Sequence, residues 1–347
     1  MRLVFVTQRV DPDDPVLSAT IPKIAALADR VDELSVITRQ AVPRALPDEV
    51  RVSTFDAPDR LRRGLRFSAV LTAELRRRPD AVVAHMIPLY AILAAPLARA
   101  RGVRVVLWYA HWKAHVPLRV AERLAHAVVS VDRRSFPLDS RKLTAIGHGI
   151  DLDQFPCRVA SGDGTLRLLA LGRYSPAKGL DPVLRGLRTA LDRGLDARLE
   201  VHGVAGNALE HRHRQELERL TGELALGGRV RLEGPIPRAE LPRLFARSDL
   251  LVNNMRSGAP DKVVYEASAG CLPVVASNPV FDELFAGLEP QLSFTRESPA
   301  DLAARLEAFA AVDEAQRARL GRELRERVQA RHSVESWADG ILAAARQ

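Results

Sequence analysis

The chain has 347 residues, 51 Lys and Arg against 43 Asp and Glu, a formal charge of +8, and 47% hydrophobic but only 5% aromatic residues. That length exceeds what one hydrophobic core usually supports, so two domains are expected, and the composition excludes a disordered or collagen-like chain. The basic balance points to an anionic partner. With so few aromatic stacking platforms, an anionic small molecule or membrane surface fits better than nucleic acid.

In chain order, the first half alternates strand and helix. Met1-Arg2-Leu3-Val4-Phe5-Val6-Thr7 is too short for a signal peptide and reads as a strand over 3–7; no apolar run free of charge or proline reaches membrane-spanning length, so a cytoplasmic protein is expected. Ser18 caps a predicted helix running to about Arg30. Strands follow at 34–38 and 50–55, a helix through 60–78, a strand at 81–84, a helix at 88–100 and a strand at 103–109. Weaker strand patterns recur at 127–131 and 143–146. A stretch rich in Asp and Gly at 151–165 reads as a linker. A second series opens at Leu166, with later strands at 197–202, 230–232, 250–253 and 273–276, and the chain from Pro299 onward is helical and charged. Continuous apolar strands alternating with helices predict parallel sheets covered on both faces. The predicted fold class is therefore α/β, with two doubly wound Rossmann-like domains at 1–155 and 156–347.

The segment 60–78 places Arg60, Arg62, Arg63, Arg66, Arg76, Arg77 and Arg78 among Leu61, Leu65, Phe67, Val70, Leu71 and Leu75. It reads as a surface helix with a solvated basic face, or as a peripheral docking element for the anionic inner face of a membrane. Cys157 and Cys271 show neither metal-ligand spacing nor a disulfide framework and read as two ordinary thiols.

Two loops can carry chemistry. Arg173 and Lys178 stand five residues apart on a predicted strand-to-helix loop at the carboxyl edge of a sheet, where a guanidinium fork and an ammonium can converge on a phosphate. The glycine spacing matches neither a Walker loop nor the dinucleotide fingerprint. The stretch 248–277 reads as a buried strand, a loop, a helix opened by Pro260 and stopped at Gly270, and a second strand. Ligands of such a βαβ unit bind beyond the strand ends, here from Asn253 to Lys262 and the first helical turns. Lys262 and Glu266 lie one turn apart on one face, as an ordinary surface pair or as part of an anion site at the helix start. Asp261 is a first-turn helix charge or a member of that site. His85 and His111 each follow an apolar strand.

Gly172-Arg173-Tyr174-Ser175-Pro176-Ala177-Lys178-Gly179, then Val201-His202-Gly203, then Glu233-Gly234-Pro235, then the stretch 248–277, occur in the order found in the donor-binding half of GT-B glycosyltransferases. Together they resemble the retaining family-4 group, and Ile146-Gly147-His148-Gly149-Ile150-Asp151 is similar to that group's Pro-Asn-Gly-Val-Asp segment. The resemblance implies two domains facing across a cleft, with a terminal helix packing back on the first. It implies a hexosyltransferase acting with retention, which needs no metal and no cofactor beyond its UDP-sugar or GDP-sugar donor. Arg173, Lys178 and Lys262 would bind the diphosphate, Glu266 the ribose, and Gly258, Ala259, Pro260 and Asp261 would form the donor-sugar loop. His111 would be the catalytic residue contacting the sugar, with His85 and Gly203 as second-choice cleft residues. The acceptor would be a saccharide, a lipid-linked saccharide or a small molecule, as in polysaccharide or glycolipid synthesis.

Two departures qualify the likeness. Gly258 stands where the group often has a sugar-contacting glutamate, although Pro260-Asp261-Lys262 with Glu266 is similar to a Pro-X-Lys-X-X-Glu variant. The loop after the first strand, Gln8 to Pro15, is charged where glycines are usual. Two other functions remain open: a sugar-nucleotide epimerase of the same shape, or a nucleotide-sugar-binding protein without catalysis. A Rossmann dehydrogenase is disfavoured, because neither half has the glycine fingerprint.

Overall fold

The computed structural model describes residues 1–14, 17–157, 164–258 and 260–347. The chain divides into two compact units, Met1–Asp151 with Arg331–Gln347, and Leu152–Ala330.

The first unit contains β1 (Arg2–Val10), α1 (Thr20–Ala28), β2 (Glu33–Ala41), β3 (Arg51–Thr54), α2 (Arg60–Leu75), β4 (Ala81–His85), α3 (Pro88–Arg99), β5 (Arg104–Trp108), α4 (Val116–Leu124), β6 (Ala127–Ser130) and β7 (Leu143–Ala145). Its strands form one parallel sheet in the order β3-β2-β1-β4-β5-β6-β7, with Phe5 facing Val36 on one side and Val83 on the other. The order reverses between β1 and β4, as in a doubly wound fold. β4 is buried along its whole length, which is why Ala81 to Ala84 are apolar without alternation, with only His85 at its end polar. One face packs on a core containing Phe55, Phe67 and Tyr90.

The second unit contains β8 (Leu166–Leu171), α5 (Leu180–Asp192), β9 (Ala197–His202), α6 (Ala208–Glu223), β10 (Val230–Glu233), α7 (Leu241–Ala246), β11 (Leu250–Asn253), α8 (Lys262–Ala269), β12 (Val274–Ala276), α9 (Asp282–Phe285), α10 (Pro299–Ala310) and most of α11 (Glu314–His332). Its parallel sheet runs β10-β9-β8-β11-β12 and reverses between β8 and β11. The last helix, α12 (Val334–Arg346), belongs to the first unit, where Trp337 is fully buried with its ring edge-on to Trp108 at 5.7 Å.

Several local expectations need correction. β1 runs on through Gln8 to Val10, with Arg9 and Val10 paired to Gln40 and Ala41 of β2, instead of breaking into a loop at Gln8. Pro15, the last residue of that expected loop, lies outside the described residues. Ser18 does not cap α1; it sits one residue earlier, inside the short helical turn 17–19, and the cap position falls on Ala19 without a side-chain bond. The basic helix ends at Leu75, leaving Arg76, Arg77 and Arg78 in the turn to β4. Cys157 and Cys271 are not free thiols but a disulfide across a sequence separation of 114 residues. Part of the expected linker, 158–163, lies outside the described residues. Among the described residues no helix is long and apolar enough to cross a membrane.

Candidate active site

β8 and β11 are neighbours at the reversal of the second sheet, so the loops leaving their carboxyl ends diverge there and open the kind of crevice in which ligands bind. The first loop leaves β8 at Gly172. This residue has φ +135°, which favours glycine, and a side chain there would overlap the methylene and ammonium of Lys178. Lys178 thus folds back over the loop that carries it. Its Nζ donates to the carbonyl of Leu171 at 3.2 Å and to the carboxylate of Asp261 from the second loop. Asn253, at the end of β11, donates to the same Asp261 Oδ2 at 2.8 Å.

Asp261 occupies the N-cap position of α8 but makes no capping bond. Its carboxylate instead ties the two loops together through Lys178 and Asn253. The helix starts at Lys262, two residues later than the expected opening at Pro260. Beside this tie, Asn253 Oδ1 and Asn254 Oδ1, with Ser277 Oγ just past β12, are buried and have no hydrogen-bond partner among the described residues. Buried polar atoms are normally paired, so three orphans at adjoining strand ends mark a floor built to meet a ligand or water.

Lys262 and Glu266 form the expected one-turn pair, Nζ to Oε1 at 2.8 Å, but Glu266 is only 3% exposed and so not an ordinary surface residue. Arg238 joins it, donating from Nη1 to the same Oε1 at 2.6 Å. Burial by itself would raise the Glu266 carboxyl, yet the two cations hold it below the ordinary value, so it stays ionised. Lys262 is lowered by burial, with Glu266 opposing the shift and Arg238 adding to it.

Arg173 is the exposed cation of the site. Its Nη1 lies 3.3 Å from Oε1 of Glu210, a buried carboxylate that also accepts from the Gly206 amide at 2.8 Å. Gly203 follows β9, and a Cβ there would overlap the Gly172 carbonyl. Its role is thus close packing of the β8 loop. Gly258 has φ +122°, so the backbone where related chains often carry glutamate is one that a side chain would strain. Ala259 lies outside the described residues.

The two histidines belong to the first unit. His85, at the end of β4, is buried; its Nδ1 lies 3.3 Å from Thr7 Oγ1, and its ring lies 5.4 Å from Phe5 and parallel to Trp108 at 6.5 Å. Burial and then Lys23 hold its pKa far below 6.5, so it is neutral, and its place is in the core rather than on an open surface. His111, in contrast, is half-exposed three residues past β5. Its Nδ1 accepts from the Lys113 amide at 3.0 Å and its ring stacks on Trp112. Burial, then His115 and Lys113, lower its pKa.

Arg238 and Glu210 carry no signal of their own in the sequence, whereas Asn253 stands at the start of the expected ligand-binding stretch. Arg238 lies 28 residues from Glu266, and only the run Gly234-Pro235-Ile236-Pro237 before it hinted at a site-forming loop. Among the described residues no group of three or more His, Cys, Asp or Glu is placed to hold a metal ion.

Residues 184–343 match the family model described as Glycosyl transferase-like. Over 130 residues the chain is 33% identical to D-inositol 3-phosphate glycosyltransferase 1 of Catenulispora acidiphila, a match spanning 37% of this chain and 31% of that relative. Solved structures share the fold across both units. Sucrose-phosphate synthase from Thermosynechococcus elongatus has a TM-score of 0.74 at 19% identity, covering 100% of this chain and 98% of that one. A glycosyltransferase from Rickettsia africae has a TM-score of 0.79 at 12% identity, covering 99% and 98%. Anabaena Alr3699/HepE in complex with UDP and glucose has a TM-score of 0.75 at 17% identity, covering 100% of both chains. The α/β fold is that of GT-B glycosyltransferases.

Proposed function

We propose that the chain is a retaining, metal-independent glycosyltransferase moving a hexose from a UDP-sugar or GDP-sugar to an acceptor hydroxyl. The observation that carries this reading is the tie at the β8–β11 reversal, where Lys178 and Asp261 bring a cation from one loop to the start of the helix that follows the other. An ammonium has three donors. Leu171 and Asp261 take two of Lys178's, and the third serves a phosphate oxygen. Arg173 on the same loop, and Lys262 with the amides at the start of α8, supply the remaining positive charge.

In transfer, the bond from the anomeric carbon to the diphosphate oxygen breaks and its electron pair stays on the diphosphate. The acceptor oxygen bonds to the carbon and its proton passes to the departing diphosphate oxygen. The fixed cations stabilise the charge that builds on the leaving group. Glu266, with Oε1 held by Arg238 and Lys262, offers Oε2 to the ribose hydroxyls. His111 acts near the sugar, as the family resemblance implies. The Anabaena protein's complex with UDP and glucose favours uridine as the base, and the acceptor class is a saccharide, free or lipid-linked. The basic face of α2, with Leu61 and Leu65 exposed among its arginines, would rest on an anionic membrane when the acceptor is lipid-linked.

The test is incubation of the chain with UDP- or GDP-sugars and a panel of saccharide and lipid-linked acceptors, following products by mass. Acceptor-dependent release of nucleoside diphosphate, with a product heavier by one sugar, is expected. Epimerised or hydrolysed donor formed equally well without any acceptor would overturn it.

A further inference from the structure

We infer that a basic hollow at the amino-terminal edge of the first unit's sheet binds an oligophosphate anion. The hollow, of about 930 Å³, is lined by Arg76 and Arg78 before β4, Arg101 and Arg104 before β5, Arg346 at the end of α12, and Asp80. It lies at the edge opposite His111, so it is separate from the machinery proposed above. Its volume falls within the roughly 300–1,000 Å³ typical of small-molecule sites, but its walls are cationic where such sites are mostly apolar.

Basic residues near helix ends often only offset the helix dipole, and α2, α3 and α12 all end here. The charges decide against that as a full explanation. Three helix ends contribute roughly −1.5 and Asp80 about −1, against about +5 from the arginines, which leaves an excess of roughly +2.5. Arg101 does cap a carbonyl, donating to Leu97 at 3.3 Å. Asp80 spends Oδ2 on the Arg2 amide at 2.7 Å. Among the described residues no carboxylate pairs with Arg76, Arg78, Arg104 or Arg346, although the chain pairs most of its other site cations closely, as at Glu266 and Asp261.

The turns that carry these residues are held in place. β4 and β5 are neighbours, with Ala81 opposite Arg104. In the turn before β5 the left-handed position belongs to Gly102, φ +70°, whereas in the adjoining turn the same conformation is taken by Arg78, φ +53°. That conformation strains a non-glycine residue, and it sets the guanidinium of Arg78 at the hollow. Arg2 fixes the turn further by donating to the Arg77 carbonyl at 3.1 Å. Several planar forks around one hollow suit a chain of linked phosphates better than a single one, because each fork can take a different phosphate in bidentate fashion. Such a chain comes either as free inorganic oligophosphate or as the tail of a nucleoside triphosphate.

Calorimetric titration of inorganic tripolyphosphate into a Lys178→Ala chain, where the proposed donor site is disabled, tests the site. Binding is expected, and adding Arg78→Gln and Arg104→Gln should weaken it at least tenfold with the melting temperature unchanged. ATP in the same titration separates the sources: equal affinity means that the phosphate chain alone is recognised, tighter binding that a nucleotide carries it. Absence of tripolyphosphate binding, or affinity unchanged in the triple variant, would overturn the inference. So would binding to anionic vesicles alone.

Discussion

At the scale of single residues, the site depends on which carboxylate each cation meets. Glu266 accepts from both Lys262 and Arg238 on one oxygen, in a place where almost no water reaches it. Replacing it with alanine leaves two cations facing each other without a counter-charge. Removing one partner of a fully buried pair costs roughly 3–5 kcal/mol; these cations keep some solvent, so Glu266→Ala should cost about 2 kcal/mol. Glu266→Gln, which keeps an acceptor, should cost less. Urea unfolding of the two variants measures the difference, and equal stability would show that the cluster is unimportant. The i, i+4 spacing of Lys262 and Glu266 was legible in the sequence because a helix fixes it. Arg238 was not, because nothing in a sequence places a residue of one loop against a helix 28 positions away. Asp261 was legible in part: its place at a helix start left a dipole partner and a site member both open, and its carboxylate bridges to Lys178 and Asn253.

At the scale of elements, the alternation of apolar strands with helices implied parallel, doubly wound sheets, and both sheets are of that kind. What escaped the pattern lies at element ends. β1 outlasts its apolar run by Gln8, Arg9 and Val10, since β2 supplies ladder partners that far, and α2 stops before its last three arginines. The disulfide escaped because two cysteines 114 residues apart carry no spacing signal. Close packing at the ends of β8 and β9 yields a test. Gly203 touches the Gly172 carbonyl, so Gly203→Ala must push the Gly172–Lys178 loop away. Such overpacking costs about 1–3 kcal/mol. The variant should keep its secondary structure by circular dichroism, melt lower than the parent and lose affinity for nucleoside diphosphate, whereas a parent-like affinity would show that the loop does not need this contact.

At the scale of the molecule, the buried His85 and the half-buried His332 of the first unit tie stability to pH. Burial, then Arg331, pushes His332 down to about 3 from the ordinary 6.5, and His85 is held far below 6.5 as well. The folded chain keeps both rings neutral, while the unfolded chain protonates them as pH falls through 6.5. The unfolded state then binds the extra protons, so stability declines as pH drops from 6.5 towards 3, by roughly 1.4 kcal/mol per pH unit for the His332 ring, with His85 acting in the same direction. Denaturant midpoints across that range should fall steadily and fall less in His332→Gln; identical slopes would rule out the ring as the cause. The central claim concerns the other unit, where a cation from β8 and a helix start after β11 are tied into one anion site. Its most direct measurement is calorimetric titration of UDP and GDP into the parent chain and into Lys178→Ala. One of the two nucleotides is expected to bind the parent and to lose at least tenfold in affinity in the variant. Equal affinity in both chains, or binding of neither nucleotide to the parent, would contradict it.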